Sequence, residues 1–115
     1  MRQTGVSLAI AVLLVGLPVS AVAKRIYEGR EAAALRCANT VALTAMALSR
    51  ADMIDEVEKD VMLGISISML ERHVSGTWNE KKAALAIMRD RRSVEETLAD
   101  YRRNAARCLR DFPIN

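Results

Sequence analysis

Apolar side chains recur every three or four residues along most of the chain after residue 24. This spacing is typical of amphipathic α-helices. The first helical segment runs from about residue 27 to residue 48, and between residues 41 and 48 nearly every position is apolar. A helix that is apolar on most sides buries more than one of them. The pattern therefore predicts a first helix that is buried on more than one side.

Three short motifs predict where the later helices begin. A serine or threonine followed three residues later by an acidic residue can form a capping box, and this pattern occurs at residues 49–52, 77–80 and 93–96. Residues 64–69 alternate between apolar and polar side chains as a strand would. No partner strand is evident, so we predict that this stretch belongs to the second helix.

Apolar stripes and helix-ending residues complete the predicted fold. The second helix is expected to bury one stripe, with its acidic residues mostly opposite: Ile54, Val57, Val61, Ile65 and Met69. The last helix is expected to bury another: Val94, Leu98, Tyr101, Ala105, Cys108 and Phe112. Gly76 and Pro113 follow the ends of these two segments, where such residues stop helices. With no internal repeat, the sequence predicts an all-α fold, a small four-helix domain.

The first 23 residues have the order of a secretory signal peptide. Arg2 gives a positive start, residues 6–17 are mostly apolar, and residues 21–23 are small. A bilayer span needs about 20 apolar residues, so an uncleaved membrane anchor is the less favoured alternative. We predict cleavage after Ala23, although a cut after Ala21 also satisfies the small-residue rule. Residues 24–115 would then form one exported domain, in the periplasm, with no stable membrane insertion.

Cys37 and Cys108 are the only cysteines, and both follow the predicted cleavage site. In an oxidising compartment such a pair usually forms a disulfide. The spacing is not that of a C-x-x-C redox motif, and a zinc site would need ligands that the single histidine, His73, cannot complete. We therefore predict one long-range structural disulfide, which joins the apolar stripes of the first and last helices, and no metal site.

Length, composition and charge narrow the class of protein. The chain has 115 residues, 51% hydrophobic side chains and a formal net charge of +3, which suits one small domain and not the large scaffolds of most cofactor enzymes. Residues 52–71 are strongly acidic, whereas the segments on either side are basic. Such alternation suits neighbouring helices that attract one another and argues against a continuous nucleic-acid-binding stripe. We expect no nucleic-acid partner and no cofactor.

The sequence offers few residues for catalysis. His73 is the only side chain suited to proton transfer at neutral pH, and its place at a helix end also suits a capping role. No G-x-S-x-G motif surrounds any serine. Asp52, Glu56 and Asp60 lie four residues apart and could bind a cation or act as acid and base, but a solvated helix face explains the same spacing. We predict that the protein is not an enzyme.

Binding residues are easier to nominate. Met62 and Met69 share a helix face, where flexible methionines suit varied partners, although core filling explains them too. Trp78 lies at a loop–helix junction, where a tryptophan can anchor an interface or staple the helix to the core. Arg103 and Arg107 could contact an acidic partner, or could pair with acidic residues of their own helix. We nominate these five residues for partner binding.

The leading hypothesis is a non-catalytic periplasmic protein-binding module, such as an inhibitor, an immunity protein or an assembly protein. A stress chaperone is the alternative, and a small hydrolase using His73 and the acidic residues of the second helix is less favoured. The layout of export signal, small helical domain and single disulfide is similar to that of many bacterial periplasmic proteins, among them acid-stress chaperones and immunity proteins, but architecture does not fix function. Self-association is also allowed for, because small helical domains often bury a leftover apolar stripe against a copy of themselves.

Overall fold

A computed structural model describes residues 25–115, so the predicted signal peptide at residues 1–23 lies outside the described residues. Four helices follow one another: α1 (Gly29–Arg50), α2 (Glu56–His73), α3 (Trp78–Asp90) and α4 (Val94–Asp111). Residues 64–69 are helical, and no strand occurs in this part of the chain. The predicted all-α, four-helix architecture is confirmed.

The first helix is the centre of the fold. Within residues 25–115, α2, α3 and α4 each pack against α1 and have little contact with one another. Ala34, Ala38 and Ala45 of α1 are completely buried, and their small side chains let neighbouring helices approach closely. By length and composition alone, α1 is long and apolar enough to cross a membrane. The core helix of a soluble protein can meet the same two criteria. The predicted burial of this helix on more than one side is confirmed.

Two of the three predicted capping boxes are confirmed and one is wrong. Thr77 with Glu80 caps α3, and Ser93 with Glu96 caps α4. The predicted box at residues 49–52 does not form, because α1 continues to Arg50 and the chain then turns through Asp52, whose φ is 56°. Asp55 caps α2 instead and accepts a hydrogen bond of 2.8 Å from the backbone N–H of Glu58.

The buried faces of α2 and α4 differ from the predicted stripes. In α2, Met69 of the predicted stripe is buried and Ile65 packs against the core, as predicted. Val57 and Val61 are instead 70% and 57% exposed, and Ser66 and Leu70 are buried in their place. This helix is apolar on both sides, so apolar spacing alone could not tell which side packs against α1.

In α4, Cys108 of the predicted stripe is buried, and so is Phe112 just after the helix. Val94 is instead 58% exposed, and the polar residues Thr97 and Asp100 are buried.

The predicted disulfide between Cys37 and Cys108 is confirmed and joins α1 to α4, with the two Cα atoms 5.7 Å apart. Cys108 belongs to a core that includes Leu35, Leu70 and Phe112. The bond closes a loop across a sequence separation of 71, which covers most of the described chain. The cross-link therefore ties the last helix directly to the central one.

The connection between α2 and α3 is held against the segment that precedes α1. Tyr27 donates a hydrogen bond of 2.8 Å to the carbonyl oxygen of Ser75, and the backbone N–H of Ser75 donates one of 2.7 Å to Glu31. The hydrogen bonds from Ser75 lower the pKa of Glu31. The next residue, Gly76, has a φ of +98°, a conformation that glycine adopts far more readily than other residues.

Replacing both cysteines, Cys37→Ala with Cys108→Ala, is expected to lower the free energy of unfolding by about 4 kcal/mol, because the unfolded chain regains the freedom that the closed loop removes. Chemical denaturation of the oxidised protein and of the double variant measures the difference. Reducing the native protein should reproduce it. Equal stability of the oxidised and reduced protein would contradict the prediction.

Two glycines should respond oppositely to alanine. A Cβ at Gly76 would lie 2.7 Å from Glu80 Oε1 and 2.8 Å from the Tyr27 hydroxyl, so Gly76→Ala is expected to cost about 1–3 kcal/mol. A Cβ at Gly64 would meet nothing within 4 Å, so Gly64→Ala should stabilise the fold by about 1 kcal/mol through helix propensity. Thermal unfolding of the two variants in dilute solution checks both signs.

Candidate functional site

A buried carboxylate, Asp100, organises the contact between α1 and α4. Arg92 Nη1 donates a hydrogen bond of 2.9 Å to Asp100 Oδ2, and the Thr40 hydroxyl donates one of 3.3 Å to the same oxygen. Asn104 donates to Oδ1, and Arg36 Nε lies 3.8 Å from Oδ2. Only 9% of the Asp100 side chain is exposed. Three hydrogen-bond donors and a second guanidinium thus converge on this carboxylate.

Burial opposes ionisation of Asp100, because a charge is poorly solvated inside a protein. The hydrogen bonds from Arg92 and Asn104, with the positive charge of Arg92, outweigh this effect and lower the pKa of Asp100. The carboxylate is therefore ionised at neutral pH and holds its partners in place. Its role is to fix the position of α4 and of the turn that carries Arg92.

An open cleft of about 770 Å³ lies beside this network, between α1 and α4. The disulfide forms part of its wall, and Phe112 closes one end of the lining. Three arginines line it: Arg30, Arg36 and Arg107. Arg30 is already engaged, since its guanidinium stacks 4.7 Å from the centre of the Phe112 ring and donates to the backbone carbonyl of Asp111.

Arg36 and Arg107 make fewer contacts with the rest of the protein than Arg30 does. The Arg36 side chain is 63% exposed and only approaches Asp100, which Arg92 already binds. The expected pairing of Arg107 with an acidic residue of its own helix is not seen among residues 25–115, and Asp111, four residues further on, lies 3.9 Å from Arg110. The cleft therefore presents guanidinium groups to solvent, beside the small apolar side chains of Ala32 and Ala33. Such groups form paired hydrogen bonds with carboxylates.

His73 contacts the residues after α4, and the acidic residues in and just before α2 that the sequence singled out lie on the surface. His73 Nε2 lies 2.7 Å from the carbonyl oxygen of Pro113, and its ring packs edge-on against Phe112 with centroids 5.4 Å apart. This contact ties the end of α2 to the end of the chain. Asp52, Glu56 and Asp60 are exposed, and among residues 25–115 no cluster of three or more His, Cys, Asp or Glu side chains could hold a metal ion.

The structure separates the five residues that the sequence nominated for partner binding. Met69 is completely buried, so it fills the core and no partner can reach it in the folded chain. Met62 is half-buried, Trp78 is 41% exposed at the first position of α3, and Arg103 is exposed on α4. Of the five, only Arg107 lines the cleft. For Met62, Trp78, Arg103 and Arg107, a part in binding remains a prediction.

Sequence reasoning missed the role of Asp100. It counted this residue only among the acidic residues with which the arginines of the last helix could pair, whereas the structure buries it against α1. The sequence did contain a pattern that could have indicated this role. Thr97 and Asn104 are polar and lie on the same helix face as Asp100, three residues before it and four residues after it. A polar row of this kind can mark a buried hydrogen-bond network as well as a wet surface.

Comparison with known proteins identified no relative: no family model, no curated protein and no solved structure matches this chain.

Asp100→Asn is expected to lower the free energy of unfolding at neutral pH by about 2 kcal/mol, because the charge-assisted hydrogen bonds from Arg92 are lost. Since the pKa of Asp100 is lowered on folding, its contribution is complete above the unfolded pKa of about 3.9 and is lost as pH falls through the folded value. The gap between wild type and variant should therefore close in acid. Denaturant titrations between neutral pH and pH of about 2 measure this gap.

Asp90→Asn is the matched control, because this carboxylate is 70% exposed and pairs only with the neighbouring Arg89. Exposed pairs contribute at most about 1 kcal/mol. A gap for Asp100→Asn that is no larger than the control, or that does not change with pH, would contradict the structural role assigned to Asp100.

Proposed function

We propose that this protein is a non-catalytic, exported binding module, of the inhibitor, immunity or assembly kind, whose cleft between α1 and α4 receives an acidic segment of a partner protein. The observation that carries the proposal is the pair of cleft arginines, Arg36 and Arg107. Arg36 is 63% exposed and shares Asp100 with Arg92, and Arg107 forms no ion pair within residues 25–115. Guanidinium groups at the edge of an open cleft favour carboxylates through paired, charge-assisted hydrogen bonds.

The rigidity of the cleft supports this function. One wall carries the disulfide between Cys37 and Cys108, and the floor carries the hydrogen-bonded Asp100. A preformed cleft loses little conformational entropy on binding, which favours one specific complex over many weak ones. These properties suit an inhibitor or assembly protein better than a chaperone, which must adapt to many unfolded clients.

Export to the periplasm is part of the proposal. The disulfide supports it, because such bonds persist mainly in oxidising compartments. The apolar character of residues 6–17 and the small residues at 21–23 support it as well. A hydrolase using His73 is less favoured, because the Nε2 atom of this histidine is hydrogen-bonded to the carbonyl of Pro113.

Photo-crosslinking in the exporting cell tests the binding site directly. A crosslinking residue replaces Ala33, which is exposed and lines the cleft, and in a matched variant it replaces Lys82, which is exposed on α3 outside the cleft. We expect one discrete adduct from position 33 and none from position 82. Arg107→Glu should reduce that adduct about fivefold to tenfold, because it reverses a charge that attracts the partner.

Arg102→Glu is the charge-matched control, since Arg102 is exposed on α4 and does not line the cleft. Equal losses from Arg102→Glu and Arg107→Glu would show a general charge effect and would contradict binding in the cleft. A broad ladder of adducts that grows in acid would favour the chaperone. No adduct from position 33 would reject the cleft as a binding site.

A further inference from the structure

A second groove lies where the end of α1 meets the start of α4. Its volume is about 360 Å³, and it shares no lining residue with the larger cleft. One wall comes from the last turns of α1 and the other from the first turns of α4, while the end of α3 and the turn before α4 complete the lining. The lining residues are Leu43, Met46, Ala47, Arg50, Arg89, Arg92, Ser93, Val94, Thr97 and Leu98.

The two walls of this groove are mainly apolar. Leu43 and Met46 line it on the side of α1, and Val94 and Leu98 line it on the side of α4. Val94 is 58% exposed, although the apolar stripe of the last helix begins with this residue. The start of that stripe therefore faces a groove that no other described helix fills. Burial of apolar surface is favourable, so the walls favour a ligand with an apolar part.

The hydroxyl groups in the lining already have partners within α4. Ser93 Oγ accepts a hydrogen bond of 3.1 Å from the backbone N–H of Glu96, and Thr97 Oγ1 donates one of 3.1 Å to the carbonyl oxygen of Ser93. A peptide segment would bring backbone N–H and C=O groups that apolar walls cannot satisfy, and leaving such groups buried without partners is costly. An alkyl chain brings no such groups. The walls therefore suit an alkyl chain better than a peptide.

Among residues 25–115, every charged side chain that lines the groove is an arginine. Arg92 is bound to Asp100. The Arg89 side chain is 56% exposed and pairs with the neighbouring Asp90, which is itself 70% exposed. Arg50 is exposed and forms no ion pair in the described chain. Two accessible guanidinium groups beside an apolar groove complement an anion, and their geometry matches a carboxylate.

We propose that this groove binds a medium-chain fatty acid, with the alkyl chain between Leu43 and Leu98 and the carboxylate at Arg50 and Arg89. The volume lies near the lower end of the roughly 300–1,000 Å³ that is typical of small-molecule sites, so the chain is of medium length. This binding activity goes beyond the proposed capture of an acidic protein segment, because it uses a separate set of residues.

Isothermal titration calorimetry with decanoate, below the concentration at which it forms micelles, tests the proposal on the exported, oxidised protein. We expect saturable binding at one site, with an affinity that rises about twofold to fourfold per methylene from hexanoate to decanoate. Acetate has the same charge without the chain, and decylammonium has the chain with the opposite charge. Both should bind at least about tenfold more weakly than decanoate.

Substitutions in the groove test the roles of charge and apolar surface. Arg50→Gln and Arg89→Gln should each weaken decanoate binding about fivefold to tenfold, because each removes a charge-assisted hydrogen bond. Arg91→Gln is the matched control, since Arg91 is exposed but does not line the groove. Val94→Asp should weaken binding at least as much, since it adds a repelling carboxylate, and an acidic residue at the start of a helix is compatible with folding. Thermal unfolding checks that each variant is folded.

Backbone amide NMR spectra locate the bound decanoate. Shifts of the signals of Ala47 and Leu98, with no change at Ala33 in the larger cleft, support the proposal. Shifts at Ala33 without shifts at Ala47 would overturn it, because decanoate would then occupy the cleft. Equal weakening by Arg89→Gln and Arg91→Gln, or decylammonium binding as tight as that of decanoate, would contradict recognition by the groove arginines. Absence of saturable decanoate binding would reject the site.

Discussion

The burial of α1 from several sides is the constraint on which the rest of the structure depends. Ala34, Ala38 and Ala45 on this helix are completely buried, and the other three helices pack on α1 and hardly on one another. Short helices are marginal in water unless tertiary packing stabilises them. Since α4 buries mainly Thr97, Asp100 and Cys108, apolar contacts stabilise its docking less than they would for an ordinary amphipathic helix. The disulfide and the hydrogen bonds of Asp100 add stability to the docking of α4 that these few apolar contacts do not provide.

This manner of attachment explains why a cleft lies beside α4. The disulfide fixes Cys108 to α1, and Asp100 fixes the helix again about two turns earlier through Arg92 and Thr40. Two local anchors hold a helix in place without requiring that side chains fill the whole space between it and its neighbour. The remaining space is open to solvent and is lined by arginines, a combination that a well-packed apolar interface would not leave.

The sequence predicted the features that depend on local chemistry. The helical class, the capping boxes before α3 and α4, and the pairing of Cys37 with Cys108 follow from spacing, short motifs and the number of cysteines. It failed where tertiary contacts decide between local alternatives. Both sides of α2 are apolar, so only the docking against α1 shows that Val61 faces outward and Met69 inward. The burial of Asp100 was not predicted for the same reason. A carboxylate spaced to form an ion pair gives the same sequence pattern whether its arginine partner lies on the surface or is buried.

The side of α2 that packs inward is selected by hydrogen bonds as well as by apolar contact. Ser66 donates a bond of 2.8 Å to the carbonyl of Ala38 in α1, and His73 is bonded to the carbonyl of Pro113. These polar contacts give the inner side a fixed position that an apolar stripe alone would not. The outer side, with Gly64 and its flanking valines, remains free of such contacts within the described chain. No residue of α2 lines the cleft between α1 and α4, so the cleft and the outer side of α2 are separate surfaces of the described chain.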